Sequence, residues 1–167
     1  MIKNIFIDID NTIVATNYLI QKKYLDRMPK GFNVKEPVKY IEFDNKKDEE
    51  WYINDILNNE VWNYVNQNII DEILVCDCNL FILTSRISVQ EDRLQFLFKN
   101  RILDFYTGYS GDQKIKVISN FKHARIYDDD PYLIGKVPIK VVLQPWNVLS
   151  IFNEACDFIT PEWILKS

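Results

Sequence analysis

The stretch "FIDIDNTI" (residues 6–13) sets Asp8 and Asp10 one residue apart among apolar neighbours. An isolated buried charge is expensive to desolvate, so a buried strand has no structural use for such a pair. Polar groups close other apolar runs in the same way. Thr84, Ser85 and Arg86 follow "LFIL", and Asp128, Asp129 and Asp130 follow "ARIY" and are stopped by Pro131. The segment "SGDQK" precedes a helical pattern and offers Lys114, with Lys116 close behind. Carboxylates crowded into one small space repel one another and raise one another's pKa unless a cation intervenes. Oxygen ligands without histidine or cysteine suit a hard ion, Mg2+ above all, and leave at least one acid for chemistry.

The elements that must position these groups are strands ending side by side. Four apolar runs read as buried strands: "KNIFIDI", "NLFILTS", "ARIY" and "IKVVL". Helical spacing lies between them. In "SVQEDRLQFLFKN", Leu94, Leu97 and Phe98 share a face, with Ser88 as N-cap and Glu91 three residues on. Ile115, Ile118 and Phe121 share another face, as do Val148, Leu149, Phe152 and Cys156 in a last helix. Strand alternating with helix predicts an α/β fold, a Rossmann-like parallel sheet flanked by helices. In such sheets ligands bind beyond the carboxyl ends of the strands, where the acids, hydroxyls and cations would meet.

Residues 16–75 break the alternation. "DEEWYINDIL" places Tyr52, Ile56 and Leu57 on one helical stripe, and "EVWNYVNQNIIDEIL" places Trp62, Val65, Ile69 and Ile73 on another. About sixty residues are too many for a simple crossover. The chain therefore divides into a core of residues 1–15 and 76–167 and a helical insertion of residues 16–75. The insertion is rich in aromatic residues: Tyr40, Phe43, Trp51, Tyr52, Trp62 and Tyr64. Such rings either stack on a nucleobase or hold a small subdomain together. "FDNKKDEE" reads as a solvated loop and helix start.

Composition excludes several classes. The 167 residues suit one domain, and 47% hydrophobic with 14% aromatic content fits a packed core rather than disorder. Twenty basic against 24 acidic residues, a formal charge of −4, leave no electrostatic footprint for non-specific nucleic-acid binding. The longest apolar runs are strand-length, so no membrane partner is expected, and "MIKNIFIDID" lacks signal-peptide features; the expectation is a cytoplasmic protein. Cys76, Cys78 and Cys156 make an odd count, and "CDC" has the wrong spacing for a zinc knuckle, which fits reduced thiols. His123 is expected near a helix end, without a catalytic role.

In order along the chain, these groups resemble the four motifs of the haloacid dehalogenase (HAD) superfamily of phosphotransferases. The DxDx(T/V) motif matches Asp8-Ile9-Asp10-Asn11-Thr12. The apolar run ending in Thr or Ser matches "LFILT", the helix-opening lysine matches Lys114 or Lys116, and the strand ending in paired acids matches "ARIYDD". Many members carry Gly where this chain has Asn11, and Asn tolerates positive φ better than other non-glycine residues. The resemblance implies a HAD core with the insertion as a C1-type cap. It further implies catalytic Asp8 as nucleophile and Asp10 as acid and base, with an aspartyl-phosphate intermediate. Thr84, Ser85 and Lys114 would hold phosphate. Mg2+ would be bound by Asp8, the backbone carbonyl of Asp10 and Asp129, with Asp128 beside them; the roles of Asp128 and Asp129 are interchangeable at this stage.

Shorter matches point to a substrate class. "IYDDDP" and "VVLQPWN" (residues 141–147) resemble segments of the 5'(3')-deoxyribonucleotidases, as does the Thr84-Ser85 pair. "QPWN" also reads simply as a Pro-initiated turn with Asn147 capping the next helix. The resemblance implies a 5'-nucleotidase-like phosphatase whose partner is a small-molecule phosphomonoester, a (deoxy)nucleoside monophosphate. Trp51, Tyr52 and Trp62 are the substrate-pocket candidates. The alternative is a polynucleotide 3'-phosphatase or a sugar or metabolite phosphatase of the same superfamily; a nucleic acid enters as partner only there. Base, sugar, phosphate position and oligomeric state are left open.

Overall fold

The computed structural model describes residues 1–34, 41–133 and 136, with the backbone of 141–142. Tyr40, the "QPWN" loop at 144–147 and the pattern carrying Val148, Leu149, Phe152 and Cys156 lie outside the described residues.

Strands β1 (Asn4–Ile7), β2 (Asn79–Thr84), β3 (Ile102–Thr107), β4 (Ala124–Tyr127) and β5 (Val141–Val142) form one parallel sheet in the order β3-β2-β1-β4-β5. This is the expected α/β architecture. Because side chains alternate across a strand, β1 feeds both faces. Ile5 and Ile7 enter one core cluster, and Phe6 enters a second with Phe81, Ile118, Ile126 and Leu133. All three β1 side chains are fully buried, which explains the unbroken apolar run.

β3 was not among the expected strands. It lies at the sheet edge, pairs only with β2 among the described residues, and leaves Leu103 and Asp104 exposed, so it lacks the continuous apolar signal of a central strand. Of "IKVVL", the described part is β5.

Helix α4 (Glu91–Leu97) starts after Gln90 with no side-chain cap, so Ser88, which is exposed, is not the N-cap. Helix α5 (Asp112–Ser119) follows Gly111, and Ile115, Ile118 and Phe121 pack together as expected. His123 follows α5 at φ 54° and accepts the N–H groups of Lys3 and Asn4 on its carbonyl, a structural role.

Between β1 and β2 the chain is helical. Helix α1 (Thr16–Leu19) runs into a π-helical turn at Ile20–Tyr24. Helix α2 (Lys46–Trp51) is capped by Asn45, whose Oδ1 accepts the Asp48 N–H at 2.9 Å, and widens into a π-helical segment at Tyr52–Leu57. That widening buries Tyr52 and Ile56. The second expected stripe is broken. A 3-10 turn at Glu60–Asn63 precedes α3 (Gln67–Val75), where Asn66 caps the helix through the Ile69 N–H. Val61, Asn66, Ile70 and Ile73 are the buried residues there, while Trp62, Val65 and Ile69 of the expected stripe pack half-buried against the same core as Ile73. These helical segments share a continuous core with Ile5, Ile7, Leu80 and Ile82 of the sheet. Among the described residues no helix is long and apolar enough to cross a membrane.

Candidate active site

β1 ends at Ile7, so Asp8 is the first residue past the strand; its N–H still continues the ladder to the Tyr127 carbonyl at 2.9 Å. A tight turn follows in which the Ile9 carbonyl accepts the N–H groups of Thr12, Ile13 and Val14. The turn requires a left-handed residue, and Asn11 supplies it at φ 60°. Asn11 Oδ1 also accepts the Asn17 N–H at 2.8 Å, tying the turn to α1. Asp8 and Asp10 both project into one cavity of about 700 Å3 at the carboxyl edge of the sheet.

Three other strand or loop ends reach the same place. Asp128 and Asp129 follow β4, Ser85 and Arg86 follow β2, and Lys114 stands in the first turn of α5. The loop before α5 is held against the end of β2: the Thr84 and Arg86 carbonyls accept the N–H groups of Tyr109 and Gly108 at 3.0 and 2.7 Å. Lys114 Nζ donates to Asp8 Oδ1 at 3.2 Å and to Asp128 Oδ2 at 2.6 Å, with all three side chains buried. Lys116, about half a helical turn further on, is exposed; Lys114 is the lysine at the cavity.

The carboxylates of Asp8, Asp128 and Asp129 offer oxygens that all lie within 4.8 Å of one another. Burial, then the nearby Asp128 charge, pushes Asp8 up to about 7 despite the Lys114 ammonium. Burial and the charges of Asp8 and Asp128 raise Asp129 as well. One lysine does not balance three buried acids, so the donor set fits a hard divalent cation, which needs oxygen ligands and would replace the protons that burial favours on Asp8 and Asp129. Asp128 is engaged on both oxygens, by Lys114 and by the Asp130 N–H at 2.9 Å. The Asp8 and Asp129 carboxyls interact directly with each other.

Asp10 is built differently. Burial would raise it, but the Arg86 guanidinium beside it prevails and holds the carboxyl below its ordinary value. Arg86 Nε and Nη2 donate to Asp10 Oδ2 and Oδ1 at 2.9 and 2.7 Å, and Thr16 Oγ1 donates to Oδ1 at 2.6 Å. The third prong, Arg86 Nη1, donates to the Leu57 carbonyl at 2.8 Å. The sequence places Arg86 at a polar strand end with Thr84 and Ser85 but gives it no role; its pairing with Asp10 has no local signal, because the two lie 76 residues apart.

Thr84 is fully buried and does not line the cavity; its Oγ1 accepts the Arg86 N–H at 3.1 Å and shapes the turn, while Ser85 forms the cavity wall. Of the aromatic candidates only Tyr52 lines the cavity, with Phe43 beside it at 5.2 Å between ring centroids. Trp51 lies elsewhere: the Arg27 guanidinium covers its ring at 3.6 Å, and Tyr24 meets it edge-on. Trp62 donates its indole N–H to the Leu57 carbonyl at 3.1 Å and sits near Arg86 and Arg93. Both tryptophans are therefore packing residues here, because a small helical segment needs large side chains to cover its core.

No protein-family profile matches the chain, and no curated protein matches it in sequence. Among solved structures it is similar to a HAD-superfamily hydrolase, subfamily IA, variant 1, from Geobacter sulfurreducens PCA. The identity is 12%, over 90% of this chain and 100% of that chain, with a TM-score of 0.44. A likeness this distant assigns no activity.

Proposed function

We propose that this chain is a Mg2+-dependent phosphomonoesterase of the HAD type, 5'-nucleotidase-like, which takes a nucleoside monophosphate and works through an aspartyl-phosphate. The observation that carries the reading is the buried group at the sheet edge: Lys114 bridging Asp8 and Asp128, with Asp129 against Asp8. A lone nucleophilic carboxylate beside a phosphate would suffer repulsion; Lys114, together with a divalent cation on these acids, would supply positive charge where the phosphoryl oxygens would lie.

In this reading Asp8 attacks phosphorus as the bond to the leaving alcohol breaks, giving an acyl phosphate on Asp8. Asp10 delivers the proton to the departing oxygen and then takes one from the attacking water, which releases phosphate and restores Asp8. Ser85 and Lys114 hold phosphoryl oxygens, and Thr84 fixes the turn that presents Ser85. Asp8, the Asp10 carbonyl and Asp129 would hold Mg2+, with Asp128 steering Lys114. When bound, the ion supplies charge neutralisation between the nucleophile and the phosphoryl group.

The cavity volume suits a mononucleotide-sized ligand. Its described cations, Arg86 and Lys114, are both committed to carboxylates, and Glu49, Asp112 and Asp130 also line it. An acidic lining favours a single phosphoryl group over a polynucleotide backbone. The test is a phosphomonoester panel with Mg2+ and with excess chelator. Turnover of nucleoside monophosphates that chelator abolishes and Mg2+ restores is expected; absence of hydrolysis of any phosphomonoester would sink the proposal.

A further inference from the structure

Tyr52 is a residue with two ends. Its ring belongs to the core, 5% exposed, packed with Ile56 and against Phe43. Tyr52 lines the cavity, and its hydroxyl is buried with no hydrogen-bond partner among the described residues. A buried hydroxyl left unpaired costs free energy, and phenols in protein interiors ordinarily find a partner. It is also close enough to Asp10 and Arg86 for both to act on its ionisation.

We infer that the Tyr52 hydroxyl donates a hydrogen bond to a sugar oxygen of the substrate's leaving-group portion, beside the ester oxygen. The inference rests on the phosphomonoesterase reading above. Lys114 and Ser85, from the sheet side, serve the phosphoryl oxygens in that reading, whereas Tyr52 arrives from the helical segment between β1 and β2 and stands beside Asp10, which serves the leaving oxygen. The ring is sealed into the core, so its face does not stack on a base; the recognised group is an acceptor oxygen on an alcohol such as a ribose. Burial, then the Asp10 charge, keeps the phenol protonated, so Tyr52 gives a hydrogen bond and no proton.

Tyr52→Phe tests this, because it removes one oxygen and keeps the ring. Parent and variant are assayed with Mg2+ on uridine 5'-monophosphate, on ribose 5-phosphate and on para-nitrophenyl phosphate. The last has an activated leaving group and no sugar oxygen. The expected result is a loss of roughly tenfold in kcat/KM on the two sugar esters, with para-nitrophenyl phosphate turnover within about twofold of the parent. The variant's Tm should be equal or higher, since an unpaired hydroxyl supports nothing in the protein. Equal losses on all three esters, no loss on the sugar esters, a lowered Tm, or parent turnover confined to para-nitrophenyl phosphate would each overturn the inference. A parent inert toward every ester overturns the reading beneath it instead.

Discussion

Arg86 closes a fork on Asp10, with Nε to Oδ2 at 2.9 Å and Nη2 to Oδ1 at 2.7 Å, 76 residues apart in sequence and both buried. The same guanidinium holds the Leu57 carbonyl, so one side chain joins the end of β2, the turn after β1 and the helical segment. Such planar, two-pronged pairing is specific to arginine.

Arg86→Ala leaves Asp10 buried without its counter-charge, and breaking a buried pair in this way costs about 3–5 kcal/mol. Urea unfolding should show that loss. In Arg86→Lys, which folds more readily, burial prevails over a weaker partner, so Asp10 ionises at higher pH. The acid limb of the pH–rate profile should then move upward. A limb that stays put removes Asp10 as the titrating base.

Asp8→Asn should lower turnover by at least about 10^3-fold while the fold persists. The change also removes a charge that repels Asp128 and Asp129, so thermal stability without metal should not fall. Retained activity in this variant would show that Asp8 is not the nucleophile.

Lys114→Met strands Asp8, Asp128 and Asp129 without their ammonium, whereas Lys116→Ala alters an exposed side chain. The first should lose activity and about 3 kcal/mol of stability. The second should match the parent in both, within about 0.5 kcal/mol. Side-by-side kinetics and chemical denaturation separate them.

Metal-free protein should be more stable at pH 5 than at pH 7.5. Asp8 in the folded chain titrates at about 7 against an ordinary 3.8, so between those values the folded state holds a proton that the unfolded state has lost. Stability is therefore lost as pH rises through that window. Asp10 acts oppositely, but only below its ordinary value, outside the window. Saturating Mg2+ takes the proton's place, so it should raise Tm most at pH 7.5 and flatten the profile. A metal-free Tm that climbs with pH contradicts the shared burial of these acids.

Trp62→Phe should cost about 1–2 kcal/mol through the lost indole bond to Leu57 and thinner packing, with KM unchanged. A raised KM at undiminished stability would return Trp62 to the substrate pocket.

The sequence by itself determined what depends on neighbours along the chain. Continuous apolar runs marked β1, β2 and β4, because a central parallel strand is buried on both faces. Their polar ends marked Asp8 and Asp128, a helix start marked Lys114, and Asn11 marked the left-handed turn found at φ 60°. Only the tertiary structure decided the rest. β3 gave a weak signal because an edge strand keeps one side wet, and the stripe from Trp62 broke because Asn66 restarts the helix there. The Arg86–Asp10 fork, the withdrawal of Thr84 from the cavity wall and the unpaired Tyr52 hydroxyl follow from which surfaces meet across the sheet edge. Periodicity fixes the face a side chain occupies, whereas its partner there is set by packing between segments distant in the chain.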